Sequence, residues 1–157
     1  MNPKETVLAF YRAFGSAEPA RIADLLDDEV VWTAPAGNAT QVAFGLGRPE
    51  DAGAPDGSNQ LGKQQIVQFM AHNFSRFFVA AKNELRSMVA EGPIVFVEHR
   101  LCATLPNGRS YVNDYCFVYE VREGRIHRIR EYMDTRGGWA QVFGDGEART
   151  LLEFVER

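Results

Sequence analysis

Ile94-Val95-Phe96-Val97-Glu98-His99-Arg100-Leu101-Cys102-Ala103-Thr104 and Ser110-Tyr111-Val112-Asn113-Asp114-Tyr115-Cys116-Phe117-Val118-Tyr119-Glu120-Val121 stand on either side of Pro106-Asn107-Gly108. Two runs rich in β-branched and aromatic residues around an Asn-Gly pair read as the arms of a β-hairpin. The texture continues outward. Val79–Val89 precedes the break Glu91-Gly92-Pro93, and Arg125–Asp134 follows the break Glu123-Gly124. Four successive strands joined by short turns predict an antiparallel run in the C-terminal half.

The N-terminal half has helical spacing instead. Asn2-Pro3-Lys4-Glu5 carries a helix-start pattern of Asn cap, Pro at the first helical position and Glu three residues after the cap. Val7, Phe10, Tyr11 and Phe14 then fall at i, i+3, i+4 and i+7, one apolar stripe. Pro19 opens a short second helix bearing Ile22, Leu25 and Leu26, and Val30-Val31-Trp32-Thr33 reads as a strand. From Lys63 to Phe78 the helical period returns, with Ile66, Phe69, Met70, Phe74 and Phe77 on one face. Between these, residues 34–62 are rich in Gly and Pro without sustained periodicity and predict a long loop, either a lid over a site or an insertion. The tail holds Trp139, Val142 and Phe143, then Leu151, Leu152 and Phe154, material for a capping helix or a subunit contact.

Helices first and antiparallel strands after them define an α+β fold, with helices packed on one face of a strongly curved sheet around a pocket. The 157 residues suit a single domain, 1–157, and 45% apolar content is enough for a core. Charge is nearly balanced, 17 basic against 21 acidic residues, with no basic run, so no nucleic-acid partner is expected. Met1 to Glu5 has no apolar leader and no stretch spans a membrane, which predicts a cytoplasmic protein with no membrane partner. Cys102 and Cys116 lack metal-ligand spacing, and neither a metal nor a cofactor is expected.

Strand facing decides which side chains share the pocket, because a one-residue slip turns every side chain over. A two-residue turn at Asn107-Gly108 pairs Cys102 with Asn113, Arg100 with Tyr115 and Glu98 with Phe117. A three-residue loop Arg122-Glu123-Gly124, chosen because Glu resists positive φ, places Glu131 beside Tyr115 and Ile129 beside Phe117. The pocket face then carries Phe96, Glu98, Arg100, Cys102, Asn113, Tyr115, Phe117, Ile129, Glu131 and Met133, with Tyr11 and Trp32 as further wall. A bulged three-residue turn at Pro106-Asn107-Gly108 is the alternative, and it brings in His99 and Leu101 instead. Cys102 and Cys116 fall on opposite faces in the first register. Both faces carry apolar residues, so the convex face is expected to pair two subunits in a homodimer.

At Asp28-Glu29-Val30-Val31-Trp32, Leu105-Pro106-Asn107-Gly108-Arg109-Ser110-Tyr111, Gly124-Arg125-Ile126 and Arg130-Glu131-Tyr132-Met133-Asp134 the chain resembles the SnoaL-like branch of the NTF2-like superfamily. The resemblance covers all but the 34–62 stretch and the C-terminal tail. It implies a conical barrel of helices on a bent mixed sheet, commonly dimeric. It does not imply one activity, since isomerases, polyketide cyclases, epoxide hydrolases and binding proteins share the fold. Against limonene-epoxide-hydrolase relatives, the acid–base–acid set falls on Glu98, Arg100 and Glu131, while the water-holding Tyr and Asn fall at Val31 and Thr33. Against ketosteroid isomerases, the Asp base falls at Ala34 and is absent. Against SnoaL-type cyclases, Glu131 fits the pocket carboxylate.

Burial raises a carboxyl pKa and a neighbouring Arg lowers it, so Glu98 and Glu131 around Arg100 would titrate apart. The catalytic expectation is therefore Glu131 as acid/base, Glu98 as its partner and Arg100 as electrostatic anchor, acting on a small organic molecule without a cofactor. Asn113 and Tyr115 would orient a carbonyl or hydroxyl. The competing expectations are a structural buried ion-pair network and a non-catalytic small-ligand-binding protein.

Overall fold

The first helix begins as its sequence dictates. Asn2 Oδ1 accepts the Glu5 N–H and Glu5 Oε2 accepts the Asn2 N–H, both at 2.9 Å, a reciprocal cap that orders the first turn. The computed structural model describes residues 1–13, 18–45 and 59–144. In chain order these form α1 (Pro3–Ala13), α2 (Pro19–Asp24), β1 (Leu26–Ala34), α3 (Ala39–Ala43), β2 (Asn59–Gly62) and α4 (Lys63–Gln68). A π-helical turn (Phe69–Asn73) leads into α5 (Phe74–Phe77), followed by β3 (Val79–Glu91), β4 (Ile94–Thr104), β5 (Ser110–Arg122), β6 (Arg125–Met133) and α6 (Thr135–Phe143).

The strands form one six-stranded sheet in the order β2-β1-β6-β5-β4-β3, open at β2 and β3. Only the β1–β6 pair is parallel, so the sheet is mixed. Register breaks in β1–β6, in β5–β6 and twice in β3–β4 bend it. On the concave side α1 lies across β3 to β6, α4 leans on β1 and β2, and α6 packs on β5 and α3. Val7, Phe10, Ile22, Ile66, Met70 and Phe77 from the helices meet Val95, Val97, Tyr119, Ile126 and Ile129 from the sheet, all buried. Among the described residues no helix is long and apolar enough to cross a membrane.

The β4–β5 turn takes three residues, not two. Leu105 N–H bonds to Arg109 O and Gly108 N–H to Leu105 O, each at 2.8 Å, with Gly108 at φ +83°. This is a turn with Pro106 at its first corner and Gly108 as the left-handed bulge residue. Proline's fixed negative φ suits that corner, and Asn107 is not driven to the positive φ that a two-residue turn demands. The register becomes Leu101 with Asn113, His99 with Tyr115 and Val97 with Phe117. Every β4 side chain is therefore turned over relative to the Asn-Gly expectation. Val95, Val97, His99 and Leu101 are buried, whereas Phe96 and Glu98 are exposed and Arg100 and Cys102 half-buried. Cys102 and Cys116 consequently share the outer face, as free thiols.

The β5–β6 turn departs in the opposite sense. Arg122 pairs with Arg125 across a two-residue turn in which Glu123 (φ +49°) and Gly124 (φ +76°) are both left-handed. A bulge on β6 opposite Glu120 and Val121, with His127 as the extra residue, completes the shift, so Phe117 faces Glu131 and Tyr119 faces Ile129. This shift is by two residues and keeps each side chain on its expected face. The stretch 34–62 also holds more structure than its composition suggests: Ala34 closes β1, α3 is wholly buried, and β2 pairs with β1. Residues 46–58, on which the lid-or-insertion question falls, lie outside the described residues, as do Phe14, Leu151, Leu152 and Phe154.

Glu123 carries a side chain where an L-residue is strained by about 1–2 kcal/mol. Glu123→Asn, a residue that tolerates this conformation, is expected to stabilise the protein by about 0.5–1 kcal/mol. The readout is a rise in the urea midpoint at unchanged slope. An unchanged midpoint would mean that the turn stores no strain.

Candidate functional site

A cavity opens between the concave face and the helices. Its volume is about 50 Å³. It is therefore a slot rather than a wide bowl. One wall is the sheet: His99 and Leu101 from β4, Tyr115, Phe117 and Tyr119 from β5, Ile129 and Glu131 from β6, and Trp32 from β1. Alternate residues on neighbouring strands stack their rings. His99 lies 9° from parallel with Phe117 and 20° from parallel with Tyr115, and Phe117 lies 21° from parallel with Tyr119. The result is a row of near-parallel rings with centroids 5.2–5.9 Å apart.

The opposite wall comes from Phe10 and Tyr11 of α1 and from Phe69, Phe74 and Phe78. Phe69 and Phe74 are five positions apart, a spacing that an α-helix would splay. The π-turn closes it, with Phe74 N–H bonded to Phe69 O, and sets the two rings edge to face at 6.1 Å.

Two hydrogen-bonded polar clusters stand in these walls. Glu131, 6% exposed, receives the indole N–H of Trp32 on Oε2 at 3.0 Å and the amide of Asn38 on Oε1 at 3.1 Å. Burial raises its pKa from the ordinary 4.5 to about 7, and the two hydrogen bonds only partly offset that rise. Asn38 is also the cap of α3: its Oδ1 accepts the N–H of Thr40 at 3.1 Å and of Gln41 at 3.3 Å. With the oxygen committed to the helix, the amide nitrogen must face the carboxyl. The second polar group is a relay in which the Tyr119 hydroxyl donates to Tyr11 Oη at 3.3 Å and Tyr11 Oη lies 3.0 Å from His99 Nδ1. One hydrogen is shared between Tyr11 Oη and Nδ1, and the tautomer of the imidazole sets which of the two donates it. Burial lowers the His99 pKa to about 4, against the raising influence of Asp114, so the ring is neutral at physiological pH. Burial raises the pKa of Tyr11, Tyr115 and Tyr119, which keeps the phenols protonated.

Of the residues expected in the site, Glu131, Tyr11, Trp32, Tyr115, Phe117 and Ile129 line this cavity. Asn113 is on the same face but lies under α6, where its amide donates to Tyr111 Oη and to the Asp134 carbonyl. Met133 packs beside it, and both would be in close contact with a Cβ at position 138, which explains Gly138. Glu98, Arg100 and Cys102 are not brought to the cavity. On the outer face Glu98 accepts the Ser87 hydroxyl, and Arg100 makes a two-pronged bond to Asp114 at 2.7 and 2.8 Å. The expected Glu98–Arg100–Glu131 cluster is thus divided across the sheet by the β4–β5 turn. Sequence reading passed over Asn38, Thr40, Gln41 and Tyr119. The signal available for the first three was the capping pattern Asn38-x-x-Gln41 inside the Gly/Pro-rich stretch. Among the described residues no three His, Cys, Asp or Glu side chains converge as a metal site would require.

A bent mixed sheet with helices closing its concave side over an aromatic pocket is the architecture of NTF2-like proteins. The model of the SnoaL-like domain matches residues 7–129, and the chain belongs to that family. None of the curated proteins matches it in sequence. Similar solved structures include IdmH of Streptomyces antibioticus, a candidate polyketide cyclase, at 21% identity and TM-score 0.68 over 90% of this chain and 98% of that one. TerC, co-crystallised with polyporic acid, is 23% identical at TM-score 0.68 over 89% and 98%. An M. tuberculosis LEH-like epoxide hydrolase is 18% identical at TM-score 0.60 over 88% and 87%. At these identities the likeness concerns the fold.

Glu131 couples the site to stability. Its native pKa of about 7 exceeds the ordinary 4.5, so its contribution is full below about pH 4.5 and is lost as pH rises through about 7. His99 acts oppositely: its contribution is full above about 6.5 and is lost as pH falls through about 4. The two partly cancel in the wild type. Glu131→Gln removes the first alone, so its unfolding free energy relative to wild type is expected to rise by about 3 kcal/mol between pH 4.5 and 7.5. Chemical denaturation at each pH measures this, and a flat difference would mean that Glu131 titrates normally.

Proposed function

We propose that the protein is a cofactor-independent proton-transfer enzyme of isomerase, cyclase or hydrolase type, acting on a small, largely apolar organic molecule. The observation carrying this reading is Glu131: a carboxyl lining an aromatic cavity, poised near half-protonation at neutral pH, with no guanidinium or ammonium beside it among the described residues. Such a group can take a proton from carbon or oxygen and return it. Trp32 and Asn38 hold its orientation and each leaves one lone pair of the bonded oxygen free. In the tautomer that accepts the Tyr11 hydroxyl on Nδ1, neutral His99 offers an Nε2–H donor for an oxygen that gains negative charge. The stacked rings favour a flat substrate.

A second reading, a non-catalytic binding protein, is favoured by one feature. Both Glu131 oxygens already have protein donors, as a structural carboxyl would. Hydrogen–deuterium exchange at the α-carbon of 2-tetralone in D₂O, followed by NMR, separates the two. Wild type is expected to accelerate exchange, with a rate that rises through an apparent pKa of about 7, and a folded Glu131→Gln variant to lose about 10²–10⁴-fold. Equal exchange in that variant would remove Glu131 from catalysis; binding without exchange would favour the second reading.

The quaternary proposal is a homodimer through the outer sheet face. There Phe96 is 46% and Val112 45% exposed, set among Glu98, Arg100 and Asp114. Self-complementary apolar and charged groups suit a two-fold contact. Sedimentation at micromolar concentration is expected to show a dimer that Phe96→Glu dissociates, and a monomeric wild type would refute it.

A further inference from the structure

The side-chain oxygen of Gln41 is buried and, among the described residues, has no hydrogen-bond partner. Gln41 is 4% exposed and lines the same cavity as Glu131. Its place is fixed from the backbone side, because its N–H is held by the Asn38 cap. Its polar neighbours on α3 are engaged: Asn38 with Glu131, and the Thr40 hydroxyl with Tyr111. A carbonyl taken out of water into an aromatic slot without a donor is disfavoured, and folded proteins retain few such groups.

We infer that Gln41 Oε1 is the acceptor for a hydroxyl or N–H carried by the molecule that occupies the cavity, which makes Gln41 a specificity-determining residue. The inference rests on the reading of the cavity as a ligand site and adds the polarity of the ligand. Ionised Glu131 and the Gln41 carbonyl both accept, while the surrounding rings offer faces and edges. The chemistry that fits is a flat ring bearing a donor, a phenol, enol or ring N–H, rather than an ether or a plain hydrocarbon. A site built to bond a donor discriminates against the isostere without one far more strongly than an apolar slot discriminates by size, because the isostere leaves the buried acceptor unpaired.

The test is calorimetric titration of the full chain with 1-naphthol and with 1-fluoronaphthalene, near-isosteres that differ in the donor. Wild type is expected to prefer 1-naphthol by about tenfold or more. Gln41→Leu should reduce that preference to about twofold by weakening 1-naphthol binding, with 1-fluoronaphthalene held as well or better. A preference that survives in Gln41→Leu would assign the donor to Glu131 and overturn the inference. Equal affinities in wild type, as a water satisfying Gln41 would produce, also overturn it while leaving the proton-transfer reading intact. Binding of neither compound overturns the cavity reading and this inference with it. A ligand-free measurement stands beside these. Since Gln41→Met loses no protein hydrogen bond from Oε1, its melting temperature is expected within about 2 °C of wild type or above it, and a fall beyond about 5 °C would show that the carbonyl is already partnered.

Discussion

The side-chain amide of Asn38 is bonded at both ends, and the site is organised around that fact. Its oxygen satisfies the first free N–H groups of α3, and its nitrogen holds Oε1 of Glu131. A five-residue helix has little cooperativity of its own, so the cap and the burial of α3 are what place it. Because the oxygen faces the helix, the nitrogen can only donate to the carboxyl. One residue thereby couples the start of α3, the rotamer of Glu131 and the position of Gln41. Trp32, on the neighbouring parallel strand, completes the grip from the other oxygen.

The division of charge across the sheet follows from β4. Arg100, Arg86 and Asp114 form their ion pairs on the outer face, where water screens them. Had Arg100 faced inward beside Glu131, its guanidinium would have held the carboxyl ionised and drawn its pKa down. With His99 there instead, neutral and bonded to Tyr11, only two neutral donors among the described residues oppose desolvation. The chemical character of the cavity is thus set by which of two adjacent side chains in β4 points inward.

That choice also marks the limit of what the chain discloses before folding. The α+β order, the cap at Asn2 and the inward facing of Tyr115, Phe117 and Glu131 could be read from alternation and turn residues. The β5–β6 error was harmless, since a two-residue displacement preserves facing, and strain at Glu123 is tolerated where local preference argued against it. The β4–β5 error was not harmless. Asn107-Gly108 is a strong pair in isolation, but Pro106 suits the first corner of a longer turn, and one extra loop residue reverses the strand. Asn38, Thr40 and Gln41 were hidden differently: α3 is shorter than two helical turns, so no periodicity can develop amid glycines and prolines.

The π-turn at Phe69–Asn73 gives the helical segment one residue of slack. It holds one residue more than a continuous α-helix would need, and its wider winding keeps Phe74 over Phe69. Removing one of the residues between them and restoring ordinary winding would set the two rings four positions apart, still on one face. Phe74 and Phe78 would keep their place in the wall of the slot, whereas a second removal would turn all that follows by about 100°. The aromatic wall and the entry into the antiparallel half of the sheet therefore share a segment that can absorb the loss of one residue and not of two.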